Sequence, residues 1–197
     1  MDAFAKIFPL GKTWAGQAIA SGDWAKTADL EGLVAFFGHD GSKLSSGLVE
    51  SASANRVKAV LVRNSSGSAL SPGQAVLWDA NYIGRRVSGY AASGIQSRFA
   101  GVVDPSLKSD VAAGDLFWLI VGGPTKIKTV ASSLSAISAG DLVSISDSSG
   151  RISKASTSPA DAAAALTLAL SMVGIAMEAR GTGDTNKLTS VMLYPTF

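Results

Sequence analysis

From Arg56 to Asp79 the chain reads RVKAVLVRNSSGSALSPGQAVLWD, and this stretch decides the fold. Val57 to Val62 is a short apolar run rich in valine, Asn64 to Ser68 is a cluster of turn formers, and Gln74 to Asp79 is largely apolar again. Short apolar runs bounded by Gly, Pro, Asn and Ser read as β-strands joined by turns. The alternation continues along the chain. Gly84–Ser88 is a third short strand around Val87, and Phe99–Val103 follows, ended by Asp104-Pro105. Leu116–Val121 is strongly apolar and reads as closed by Gly122-Gly123-Pro124. Thr125–Val130, Leu142–Ser146, Met172–Glu178 and Leu188–Leu193 complete the series. Many short strands at about 8–12 residue spacing favour a barrel or sandwich over a parallel α/β fold.

One octapeptide supports the same reading. Ala69–Val76 (ALSPGQAV) aligns with Ala136–Val143 (AISAGDLV) at a shift of 67 residues, and Val111–Phe117 (VAAGDLF) is a third version. Each sets a glycine (Gly73, Gly114 or Gly140) just ahead of an apolar strand, with Gln or Asp next. Glycine supplies the positive φ of a tight turn, and the polar neighbour can bond the turn backbone. The recurrence is either duplication or convergent turn chemistry.

Helix is expected to be scarce. Ser158-Pro159-Ala160-Asp161 offers a capping serine, a proline at the first helical position and an acid three residues after the cap, ahead of four alanines. A turn or two of helix is expected there. A second short helix is expected over Asp29–Phe37, with Asp29 as N-cap and Leu30, Leu33, Val34 and Phe37 on one face.

Residues 1–55 differ from the rest. They hold six of the fourteen aromatic residues, Phe4, Phe8, Trp14, Trp24, Phe36 and Phe37, but show no sustained periodicity, and seven glycines interrupt them. The segment is expected to be a largely irregular, extended arm ahead of a β-domain over 56–197. Aromatics along such an arm can anchor it on a partner or pack it on its own domain. Phe4, Phe8, Trp14 and Trp24 are the candidate anchors.

Composition narrows the function classes. The 197 residues carry a formal charge of +2, and Ala, Ser and Gly together make 80 of them. With mean hydropathy of +0.27 the chain is neither disordered nor collagenous. No window forms a basic block, so no nucleic acid is expected as a partner. Residues 61–130 hold a mild excess of three positive charges that includes Arg85-Arg86, expected as a solvated face. A faint interleaving of Trp78, Tyr82, Arg85, Arg86 and Tyr90 is better read as core and rim packing. No signal peptide or membrane span is expected: the start is acidic, and Ala162–Met177 is interrupted by Thr167, Ser171 and Gly174.

Catalytic patterns are absent as well. There is no cysteine, and the single histidine, His39, sits in a Gly-His-Asp-Gly turn. No Gly-x-Ser-x-Gly elbow, zinc spacing or calcium loop occurs. Gly181–Asp184 holds two glycines of a dinucleotide fingerprint without its strand–helix context, and reads as a hairpin loop. Asn64-Ser65-Ser66 matches a glycosylation sequon by coincidence of composition. The chain is expected to be no enzyme and to bind no cofactor or metal.

Three runs carry a resemblance: Val60–Asp79, Arg98–Asp104 (RFAGVVD) and Ala113–Pro124 (AGDLFWLIVGGP). Together they resemble the capsid cement, or head decoration, proteins of tailed double-stranded-DNA bacteriophages. Met172–Ala179 (MVGIAMEA) and Val191–Tyr194 (VMLY) are similar to the end of the same domain. The likeness covers about residues 60–197. It implies a small β-barrel or tulip-like domain on the outer surface of the virion capsid, bound to the major capsid protein and bridging neighbouring capsomers. A homo-oligomer is implied too, with a trimer as the expected order. Two other classes stay open: a tail- or fibre-associated carbohydrate-binding β module, and a hydrolase with converging acids.

Overall fold

The computed structural model describes residues 10–14, 30–38, 56–89, 99–130, 136–146, 149–156, 158–182, 184 and 186–194. Among the described residues the fold is mainly β, with 47 % strand, and it contains a closed five-stranded barrel. The strands are β1 (Thr13–Trp14), β2 (Val34–Gly38), β3 (Arg56–Asn64), β4 (Ala75–Trp78), β5 (Arg86–Ser88) and β6 (Phe99–Val103). After them come β7 (Leu116–Lys128), β8 (Leu142–Ile145), β9 (Ile152–Lys154), β10 (Met172–Ala176) and β11 (Leu188–Leu193). Among the described residues the one helix is α1 (Ala162–Ser171).

The barrel runs β3-β5-β4-β6-β7 and closes where β7 pairs back onto β3. Its seam is parallel, Arg63 beside Arg86 and Asn64 beside Val87, while its other four pairings are antiparallel. The second half of the chain repeats this plan. Residues 123–128 of β7 pair with β11, then come β10, β8 and β9 in order, all antiparallel. Ile152 of β9 then returns to Thr129 by a parallel bridge, extended by the Val130 N–H to the Ile152 carbonyl at 3.0 Å. The same step in the first barrel is the Ser65 N–H to the Val87 carbonyl at 2.9 Å. Two barrels of one topology thus lie in tandem, sharing β7.

The repeated octapeptide marks their corresponding corners. Leu70 bridges Val111 in the first barrel, and Ile137 bridges Arg180 in the second. In each of the three repeats a four-residue turn follows, closed by Gln74 onto Ser71, Asp115 onto Ala112 and Asp141 onto Ser138, each at 3.1 Å. Gly73, Gly114 and Gly140 hold φ of 73°, 87° and 90°, which a side chain would oppose. The polar neighbour works as the sequence suggests: Gln74 accepts from the Ser71 N–H at 3.0 Å, and Asp141 from the Ser138 N–H at 2.7 Å. Before β11 the Asp184 carboxylate likewise accepts from the Gly181 N–H, three residues earlier. This bond lies within the loop that the sequence indicates there.

Alternate residues of β3 and β7 face two cores. Val60, Val62, Phe117, Leu119 and Val121 fill the first barrel. Val57, Ala59, Leu61, Leu116, Trp118 and Ile120 face the other way, into a core continuous with Ile127, Val143, Ile152 and Val191 of the second. That explains the unbroken apolar run at Leu116–Val121, since a strand buried on both faces loses its alternation.

Three expectations are corrected. The helix expected over Asp29–Phe37 is not found among its described residues 30–37: residues 34–38 form β2, with Ala35 and Phe37 buried and Val34 and Phe36 exposed. Gly32, at φ 91°, also interrupts any helix there. Gly122-Gly123-Pro124 does not end a strand. It is where β7 leaves β3 and takes up β11, so one strand serves both barrels. The α1 cap is Asp161, accepting from the Ala164 N–H at 2.7 Å, rather than Ser158, and the helix runs to ten residues. Strand β2, ahead of residue 56, pairs with β3 and packs in the same core.

Candidate partner-binding surface

Of the four candidate anchors, Phe4, Phe8 and Trp24 lie outside the described residues, as do His39 and Tyr90. Trp14 lies opposite Leu116 in the β1–β7 pair and is half-buried against the chain's own core. The turn before it is tied down by Asp104, whose carboxylate accepts from the Gly11 N–H at 2.5 Å and from the Ser106 N–H at 2.9 Å. Asp104 is itself buried. The first described part of the arm is therefore docked on the first barrel.

Residues 30–38 are held by a buried ion cluster that no spacing in the sequence announces. The parallel seam sets Arg63 directly beside Arg86, two like charges on neighbouring strands. Glu31 lies between them: one carboxylate oxygen accepts from Arg63 Nε, the other from Arg86 Nε at 3.0 Å. Arg63 also donates from Nη1 to the Gly114 carbonyl at 2.7 Å. Arg86 stacks over the Tyr82 ring, 3.9 Å from its centroid. Of the arginine pair expected on a solvated face, only Arg85 is exposed; Arg86 is half-buried in this cluster. Trp78 belongs to the core.

Three large apolar side chains of these segments are exposed. Phe36 is 52 % exposed, Val34 44 % and Ile83 60 %. A single feature of the sequence points to the first of these, the adjacent Phe36-Phe37, which in a strand must face opposite ways. The second barrel carries α1, an uncharged helix whose Leu166 and Leu170 are also exposed.

Three further carboxylates hold turns and loops. Asp141 is kept below the usual carboxylate range by the Ser138 N–H and by Lys154. Glu178 is lowered by the Ser190 N–H at 2.7 Å and by Arg180, and Asp184 by Lys187 and the Gly181 N–H. Asn64 is buried, its amide donating to the carbonyls of Ser68, Val111 and Ala112, so the sequon is a structural turn. Among the described residues no group of three or more His, Cys, Asp or Glu could hold a metal ion. No helix among them is long and apolar enough to cross a membrane.

No family model matches the chain, and no curated protein matches it.

Proposed function

We propose that this protein is a structural virion component that binds the outer surface of a phage capsid and stabilises it by bridging neighbouring capsomers, without catalysis. One observation supports the reading above others: the three runs that resemble cement proteins fold as neighbours. Val60–Asp79 supplies the second half of β3, the first repeated turn and β4, Arg98–Asp104 supplies β6, and Ala113–Pro124 supplies most of β7. These strands are successive walls of one barrel, so the likeness falls on a structural unit.

The partner is the major capsid protein, met by the aromatic anchors Phe4, Phe8 and Trp24. Trp14 contributes by fixing the arm to the barrel. Many copies on one particle act by avidity, so each contact can be modest. The test is the thermal stability of expanded capsids that lack the protein, measured with and without it added. A higher disruption temperature, saturating with added protein, is expected. No shift at saturating protein would overturn the proposal.

A further inference from the structure

Among the described residues, no strand pairs with the outer edge of β2. Its ladder with β3 runs from Val34↔Val60 to Gly38↔Arg56 without a register shift. The Leu61 N–H bonds the Leu33 carbonyl at 2.8 Å. The alternation of an antiparallel ladder then turns the backbone groups of Ala35 and Phe37 toward β3 and those of Val34, Phe36 and Gly38 outward. No strand among the described residues takes that side, because β2 ends the strand order. Val34 and Phe36 are also its exposed side chains. Folded proteins shield such an edge with a charge, a proline or a bulge. Val34–Gly38 has none of these.

We infer that a second copy of this chain covers the edge, β2 pairing antiparallel with β2 across a twofold axis centred on Phe36. Register and charge select self-pairing. Centring on Phe36 opposes outward-facing residues only, Phe36 to Phe36 and Val34 to Gly38, and satisfies every outward backbone group with about six interchain hydrogen bonds. Opposed residues share a face, so the two Phe36 rings meet outside the barrels while Val34 stands opposite a glycine. The strand is uncharged throughout, so no like charges meet across the axis. This pairing is independent of the capsid reading, and it is twofold, unlike the trimer the resemblance implies.

The chain has no cysteine, so Phe36→Cys introduces a single thiol. Opposed residues of a hydrogen-bonded antiparallel pair lie about 5.5 Å apart at Cα, within the span of a disulfide. Diamide oxidation of full-length F36C is expected to give a covalent dimer, and that of Val34→Cys, whose thiol faces Gly38 of the second copy, far less. Light scattering of the unaltered protein is expected to give a dimer. Phe36→Pro removes an outward N–H and leaves the β3 ladder intact, so it should give a monomer with unchanged circular dichroism. Should that variant fail to fold, Phe36→Lys sets two charges on the axis and is expected to give the same monomer. A monomeric unaltered protein, an oligomer indifferent to these substitutions, or equal cross-linking at positions 34 and 36 would overturn the inference.

Discussion

The Phe37 ring meets the Trp118 indole edge-on, with centroids 5.0 Å apart and planes at 74°. Phe37 comes from the segment expected to be an arm, and Trp118 from the strand shared by both barrels. This contact, with Ala35 beside it, ties the inner face of β2 into the core. Phe37→Ala is therefore expected to cost about 3 kcal/mol of unfolding free energy, in the range for emptying a buried aromatic site. Phe36→Ala, one residue away on the outer face, should cost less, about 1 kcal/mol. Urea denaturation of the two variants checks the difference.

The two barrels place a glycine at the same point of the same strand pair. A Cβ on Gly101 would lie 2.3 Å from the Ile120 carbonyl oxygen, and one on Gly174 would lie 2.1 Å from that of Met192. Both obstacles are backbone, which cannot swing aside. Gly101→Ala and Gly174→Ala are each expected to destabilise by about 3 kcal/mol, at the upper end for overpacking. Gly67→Ala meets nothing within 4 Å and should cost only the strain of its φ of 72°, about 1 kcal/mol. Thermal melts of the three variants would show the ranking.

Glu31 neutralises two arginines that the parallel seam forces together. Glu31→Gln removes the charge and leaves Arg63 buried, at an expected cost of about 3 kcal/mol. The double variant Glu31→Leu with Arg63→Met should be more stable than Glu31→Gln, since the uncompensated charge goes with its partner. A double-mutant cycle in guanidinium would show additivity if the two side chains were energetically independent.

Three carboxylates at the turns of the second barrel predict its response to acid. Asp141, Glu178 and Asp184 are all lowered from ordinary values of 3.8, 4.5 and 3.8. A lowered folded-state pKa contributes stability above the unfolded-state value, and that contribution is lost as pH falls through the folded-state value. Stability is thus expected to be flat with respect to these groups above about pH 5 and to decline below about pH 4. In Asp141→Asn with Asp184→Asn the decline should be shallower, as measured by melting temperature against pH.

Much of the β pattern was legible because it is local. The strands around Val87 and over Phe99–Val103, and the glycines 73, 114 and 140, follow from turn chemistry that each segment carries itself. What the sequence could not decide depends on what lies across. Asp29–Phe37 has apolar residues at helical and at strand spacing, and only β3 and Trp118 select the strand. Gly122-Gly123-Pro124 punctuates like a strand end, yet β11 is there to receive the continuing chain. The Glu31–Arg63–Arg86 cluster joins residues 32 and 55 positions apart, which no motif spacing reveals.

Co-sedimentation of the purified protein with expanded phage capsids that lack it tests the central claim most directly. Saturable binding at a fixed number of copies per capsomer is the predicted result. Protein left wholly in the supernatant at every concentration, while remaining folded, would contradict the account.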